Sequence, residues 1–96
     1  MNSIYELIDV TDDDTWYTLG WWPSLEASLA ALAEQKQPQD IAGSPNQDED
    51  YCRLQIHKRP SGWGCWSDSK AVYSIEFTQR YDEDRDEYVW DRRDWN

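Results

Sequence analysis

The chain has 96 residues, twenty of them acidic and nine basic, for a formal net charge of −11. That length is one domain with room for a modest core. Seven tryptophans and six tyrosines exclude a disordered acidic tail, since such tails lack the apolar surface that offsets the entropy of ordering. A strong negative field disfavours nucleic acid and anionic membranes as direct partners and steers the chain towards basic surfaces. No apolar run approaches the roughly 20 residues of a membrane span. The stretch Met1 to Glu6 lacks the basic start and apolar run of a secretory signal. The expectation is a cytoplasmic protein folded as a single compact domain over residues 1–96. In that compartment Cys52 and Cys65 are expected as reduced thiols packed like small hydrophobes, although a bridge flanking a hairpin stays open.

In chain order, residues 3–10 are β-rich and loosely alternating, which predicts a first strand. The run Thr11 to Thr15 reads as a turn, because Asp side chains bond their own backbone there. Residues 16–21 then return as a second strand. Ser24 suits a helix N-cap, Glu26 sits where the helix dipole favours an acid, and an Ala-rich helix extends to Gln35. Leu25, Leu29 and Leu32 recur at helical spacing on one face. Pro38, Gly43 and Pro45 make residues 37–50 a loop.

A third strand is predicted over 51–58, with Cys52, Leu54 and Ile56 on one face and Tyr51, Arg53, Gln55 and His57 on the other. A loop from Pro60 to Ser69 precedes the clearest strand, 71–81, where Tyr73, Ile75 and Phe77 alternate with Ser74, Glu76 and Thr78. Residues 82–86 turn it and 87–90 return. The order ββαβββ predicts an α+β domain, an antiparallel sheet of about five strands with one amphipathic helix on one face.

Enzyme chemistry finds little support. The lone His57 reads as a solvated side chain on a polar strand face, and a nucleophilic Cys65 would need a base to activate it. With twenty acids some carboxylate pairing is inevitable, so pairs carry no specificity. Asp82, Asp84 and Asp86 have the opening spacing of a calcium-binding EF-hand loop, but Glu87 stands where that loop needs Gly and Arg93 where it needs Glu. Three Cys and His residues in total do not make a zinc site. No catalytic residue, metal or cofactor is expected. Direct nucleic-acid binding is disfavoured too, because Lys58-Arg59 and Arg92-Arg93 are short pairs and not a basic stripe.

Three acidic groups stand out: Asp12, Asp13 and Asp14; Asp48, Glu49 and Asp50; and Asp82, Glu83 and Asp84 with Asp86 and Glu87. Taken singly, each reads as a solvated turn that keeps an aromatic-rich chain soluble. Taken together, they concentrate like charge at a cost in stability. Alternate residues of a strand lie about 6.7 Å apart on one side, comparable to successive phosphates of a nucleic-acid strand. Trp63 and Trp66 in a loop, with Trp90 and Trp95 near the chain end, are candidate interface anchors beside these acids.

In its acidic turns Asp12–Asp14 and Asp82–Glu87 and its small β-rich body, the chain resembles the acidic inhibitors that phages and mobile elements direct at DNA-handling host proteins. DNA-mimicking anti-CRISPR proteins are the most similar in kind; anti-restriction proteins and uracil-DNA glycosylase inhibitors are further examples. The resemblance covers general character and no diagnostic motif. It implies a non-enzymatic inhibitor whose acids occupy a basic nucleic-acid groove on a protein or ribonucleoprotein complex such as a CRISPR effector. A generic acidic interaction module, such as an antitoxin or a small structural phage protein, is the alternative.

Overall fold

The computed structural model describes residues 3–12, 14–43, 45–47, 50–60 and 69–96. Five strands form one antiparallel sheet: β1 (Ser3–Asp12), β2 (Thr15–Trp22), β3 (Tyr51–Pro60), β4 (Lys70–Asp82) and β5 (Glu87–Trp95), ordered β2-β1-β3-β4-β5. A single α-helix, α1 (Leu25–Leu32), connects β2 to the later strands, followed by a 3₁₀ turn at Pro38–Asp40 inside the expected loop. The fold class is the expected α+β.

One face of the sheet carries the core. Leu7 pairs with Ile56 and Ile56 with Tyr73, while Leu54 pairs with Ile75 and Cys52 with Phe77, so the apolar side chains of three strands align in rows. Leu54, Ile56, Cys52 and Phe77 are completely buried. Each large side chain among them contributes about 1.5–3 kcal/mol through burial. Leu25, Leu29 and Leu32 of α1 close this face, together with Ile41 and Leu19. Leu19 reaches the core through a β-bulge: Leu7 pairs with Gly20 and Ile8 with Thr18, leaving Leu19 as the extra residue.

Two boundaries differ from expectation for identifiable reasons. The helix starts as read, with the Ser24 hydroxyl accepting from Ala27 N–H at 3.0 Å, but it ends at Leu32 and not Gln35. Its last turn tightens into i→i−3 bonds, Ala33 to Ala30 and Gln35 to Leu32. Arg92 then takes the Leu32 and Gln35 carbonyls. Conversely, β5 continues past Val89-Trp90 through the charged run Asp91 to Asp94, because Thr78 back to Ser74 of β4 pair with it as far as Trp95. An edge strand tolerates such charge, since one side of it meets solvent.

Candidate acidic interface

Antiparallel pairing decides where the acidic segments go. The β1–β2 turn carries Asp12 and Asp14, Asp50 leads into β3, and the β4–β5 turn carries Asp82 to Glu87. With every neighbour pair antiparallel in the order β2-β1-β3-β4-β5, all three sites lie at one end of the sheet. The opposite end holds Lys58, Arg59 and Lys70. The sheet is therefore charge-polarised along its strands. Asp13, Asp48, Glu49, Trp63 and Trp66, together with Cys65, lie outside the described residues.

The β4–β5 hairpin reaches furthest. β3 stops pairing with β4 at Tyr51 opposite Thr78, with one more bond from Gln79 N–H to the Asp50 carbonyl at 2.9 Å. Beyond that point, Arg80 to Asp82 pair only with Glu87 to Val89. Three residues of overhang correspond to about 10 Å. The molecule measures 51 × 28 × 21 Å, and only the strand direction can supply that long dimension.

The tip separates acids that build the turn from acids that supply only charge. The Asp82 carboxylate accepts the Asp84 N–H at 3.0 Å, and Asp12 accepts the Asp14 N–H at 2.9 Å in the same way. Asp86 has φ of 52°, a left-handed conformation that Asp and Asn adopt more readily than other side chains. It also accepts a hydrogen bond from the Tyr81 hydroxyl, a bond that, together with partial desolvation, raises the tyrosine pKa. Glu87 pairs with Arg85 at 2.9 Å, and Arg80 with Asp91 at 2.7 Å. Asp14, Asp50, Glu83 and Asp84 are exposed and form no ion pair among the described residues.

Aromatic side chains flank the acids, and of the expected tryptophans Trp63 and Trp66 lie outside the described residues. Trp90 packs against the core cluster. Trp95 sits level with the middle of the sheet, paired with Ser74, under the Arg93 guanidinium at 5.3 Å from its ring centroid. At the acidic end, Tyr81 and Tyr88 meet edge to face at 5.3 Å, and Tyr88 is 68% exposed. The sequence signal for them was present in two tyrosines bracketing an acidic run, one on each arm of the hairpin.

Two acids leave the surface altogether. Glu6 is buried against Arg59 and the Thr18 hydroxyl, which donates at 3.0 Å. Asp9 is buried and accepts the Thr11 N–H at 3.0 Å and the Asn46 N–H. His57 also departs from expectation. It is buried and not solvated, its ring nitrogens lying 2.9 Å from the Ser69 hydroxyl and 2.8 Å from the Gln55 amide oxygen, with Trp16 edge-on at 5.6 Å.

Catalytic dyads are constrained by the same alternation. Cys52 faces the helix and His57 the opposite side of the sheet, so they cannot act together. Burial pushes the free Cys52 thiol up to about 11, opposed by a Thr11 hydrogen bond and reinforced by the Asp9 charge. Among the described residues no group of three or more His, Cys, Asp or Glu side chains could hold a metal ion, and no helix is long and apolar enough to cross a membrane. A scan against protein-family models and searches of curated proteins and of solved structures found no match to this chain.

Proposed function

We propose that this chain is a non-enzymatic inhibitor that presents its acidic end as a substitute for nucleic-acid phosphates, occupying the basic groove of a DNA-handling host complex such as a CRISPR effector. The observation that carries the reading is the convergence of three sequence-distant acidic segments on one end of the sheet, with the β4–β5 hairpin extended beyond it. A projecting two-stranded arm enters a groove that a flat sheet end cannot. Its charge-only acids, Glu83 and Asp84, would meet lysines and arginines that otherwise hold phosphates. Tyr88 would supply a rigid apolar contact beside them.

The division of labour at the tip dictates the test. Lysine at Asp82 or Asp86 would dismantle the turn as well as the charge, so those two positions take asparagine, which keeps the turn bond and tolerates the left-handed conformation. Glu83 and Asp84 take lysine. Immobilised wild-type chain is expected to capture a nucleic-acid-binding protein from nuclease-treated bacterial lysate and to release it on addition of duplex DNA. The variant combining Asp82→Asn, Glu83→Lys, Asp84→Lys and Asp86→Asn should lose that capture while keeping its circular dichroism spectrum. Undiminished capture by the folded variant, or a partner that duplex DNA never displaces, rejects the mimic reading in favour of a generic interaction module.

A further inference from the structure

The two edges of the sheet are built differently. The edge strand β5 has five charged residues in nine, Glu87, Asp91, Arg92, Arg93 and Asp94. Such charge is how natural sheets prevent edge-to-edge pairing. The other edge strand, β2, runs Thr-Trp-Tyr-Thr-Leu-Gly-Trp-Trp, eight residues without a single charge or proline, in a chain where 30% of residues are charged. Tyr17 is 53% and Trp21 63% exposed on it. Among the described residues no backbone hydrogen bond from outside the sheet reaches Tyr17 to Trp22.

We propose that β2 pairs with β2 of a second copy of this chain, antiparallel across a two-fold axis, joining two five-stranded sheets into one continuous sheet. Two features single out this occupant. The first is charge. Two chains of net charge −11 repel, and a side-by-side contact is tolerable only where the edge itself is uncharged and the poles are opposed. Antiparallel pairing sets the acidic end of each copy beside the cationic end of the other, the end that carries Lys58, Arg59 and Lys70. A parallel arrangement would put the acidic ends together.

The second feature is the bulge. In an unbroken strand Trp16 and Trp21, five positions apart, would face opposite sides of the sheet. The extra residue Leu19 brings Trp21, paired with Glu6, to the same face as Thr18, paired with Ile8, and as Trp16 beyond it. A two-fold register that sets Trp16 opposite Trp21 of the second copy therefore repeats itself with the indoles on one face in both halves. Aromatic cross-strand pairs of this kind stabilise sheets. Trp16 keeps its contact with His57 in this arrangement. The pairing uses the β2 edge and leaves the acidic hairpin at the far edge of each copy, so it stands apart from the inhibitor reading.

Sedimentation velocity of the full chain over a micromolar concentration series tests the proposal. The expected result is a reversible species of twice the 11.4 kDa chain mass. Tyr17→Lys and Trp21→Lys should each weaken the dimer by about tenfold or more, because either places a charge within the contact. Tyr88→Lys, on the other edge, should leave it unchanged. Hydrogen exchange should show the backbone amides of β2 gaining protection as the dimer forms. A chain that stays monomeric up to high micromolar concentration overturns the proposal. So does a dimer indifferent to both β2 variants, or one abolished by Tyr88→Lys.

Discussion

Arg92 and Asp94, two residues apart on β5, form a fork: the arginine Nε donates to one carboxylate oxygen at 2.7 Å and Nη2 to the other at 2.8 Å. The remaining nitrogen, Nη1, donates to the Leu32 carbonyl and to that of Gln35, at 2.7 Å in the second case. The Tyr73 hydroxyl holds Asp94 from β4 at 2.6 Å. The last turn of α1 contains no basic residue of its own, so an edge strand about 60 residues away in sequence supplies the cation that its exposed carbonyls favour.

Removing that cation should loosen the helix from the sheet. Arg92→Ala is expected to cost about 1–3 kcal/mol, the range for hydrogen bonds to a charged group, read by urea unfolding. Asp94→Asn should cost less, because the arginine keeps its bonds to the helix. The effect also depends on pH. Partial burial raises the Asp94 pKa, but the hydrogen bonds from Arg92 and Tyr73 and the Arg92 charge outweigh it, so the folded pKa lies below the usual value. The contribution is therefore complete above the ordinary aspartate pKa of about 3.9 and is lost as pH falls through the lower folded value. In Arg92→Ala the acid limb should move to higher pH.

His57 makes the chain sensitive nearer neutrality. Burial lowers its pKa, and the Glu6 charge opposes this only in part. Around the ring stand Glu6 with its partner Arg59, Gln55, Ser69 and Trp16. Because the unfolded histidine binds its proton more readily, this group's contribution is complete above about pH 6.5 and declines as pH falls towards the folded value. Thermal melts of the wild type between neutral and mildly acidic pH should show that decline. His57→Gln, which retains polar partners without a titrating ring, should flatten it. A slope unchanged by the substitution assigns the sensitivity elsewhere.

Cys52 should be chemically silent in the folded chain. Its pKa of about 11, against an ordinary thiol near 8.5, leaves a thiolate fraction lower by on the order of a hundredfold at neutral pH. In a Cys65→Ser background, labelling by a maleimide should be at least that much slower in buffer than in denaturant. Equal rates would mean that the β3–β4 core around Cys52 opens freely.

Alternation and turn chemistry were enough to read much of this protein from its residues. The inward row Cys52, Leu54 and Ile56, its partner row Tyr73, Ile75 and Phe77, the Ser24 cap and the five-strand order of elements follow from local rules, because each depends on neighbours within a few positions. The acidic turns were equally legible as composition. Local rules could not say that Glu6 and Asp9 are buried, that His57 is packed beneath Trp16, or that β5 runs on through its charges to Trp95. Each of those depends on a partner strand or on Arg59, which lies 53 positions from Glu6.

The same limit governs the candidate site. Sequence alone determined how much acid the chain carries and that it sits in turns. Only the strand order put those turns at one end of the sheet, opposite Lys58, Arg59 and Lys70, and only the mismatch between β3 and the longer β4–β5 hairpin made one of them project. Charge is a sum over residues and can be read one position at a time. A field with a direction depends on where the strands run, and pairing between distant segments decides that.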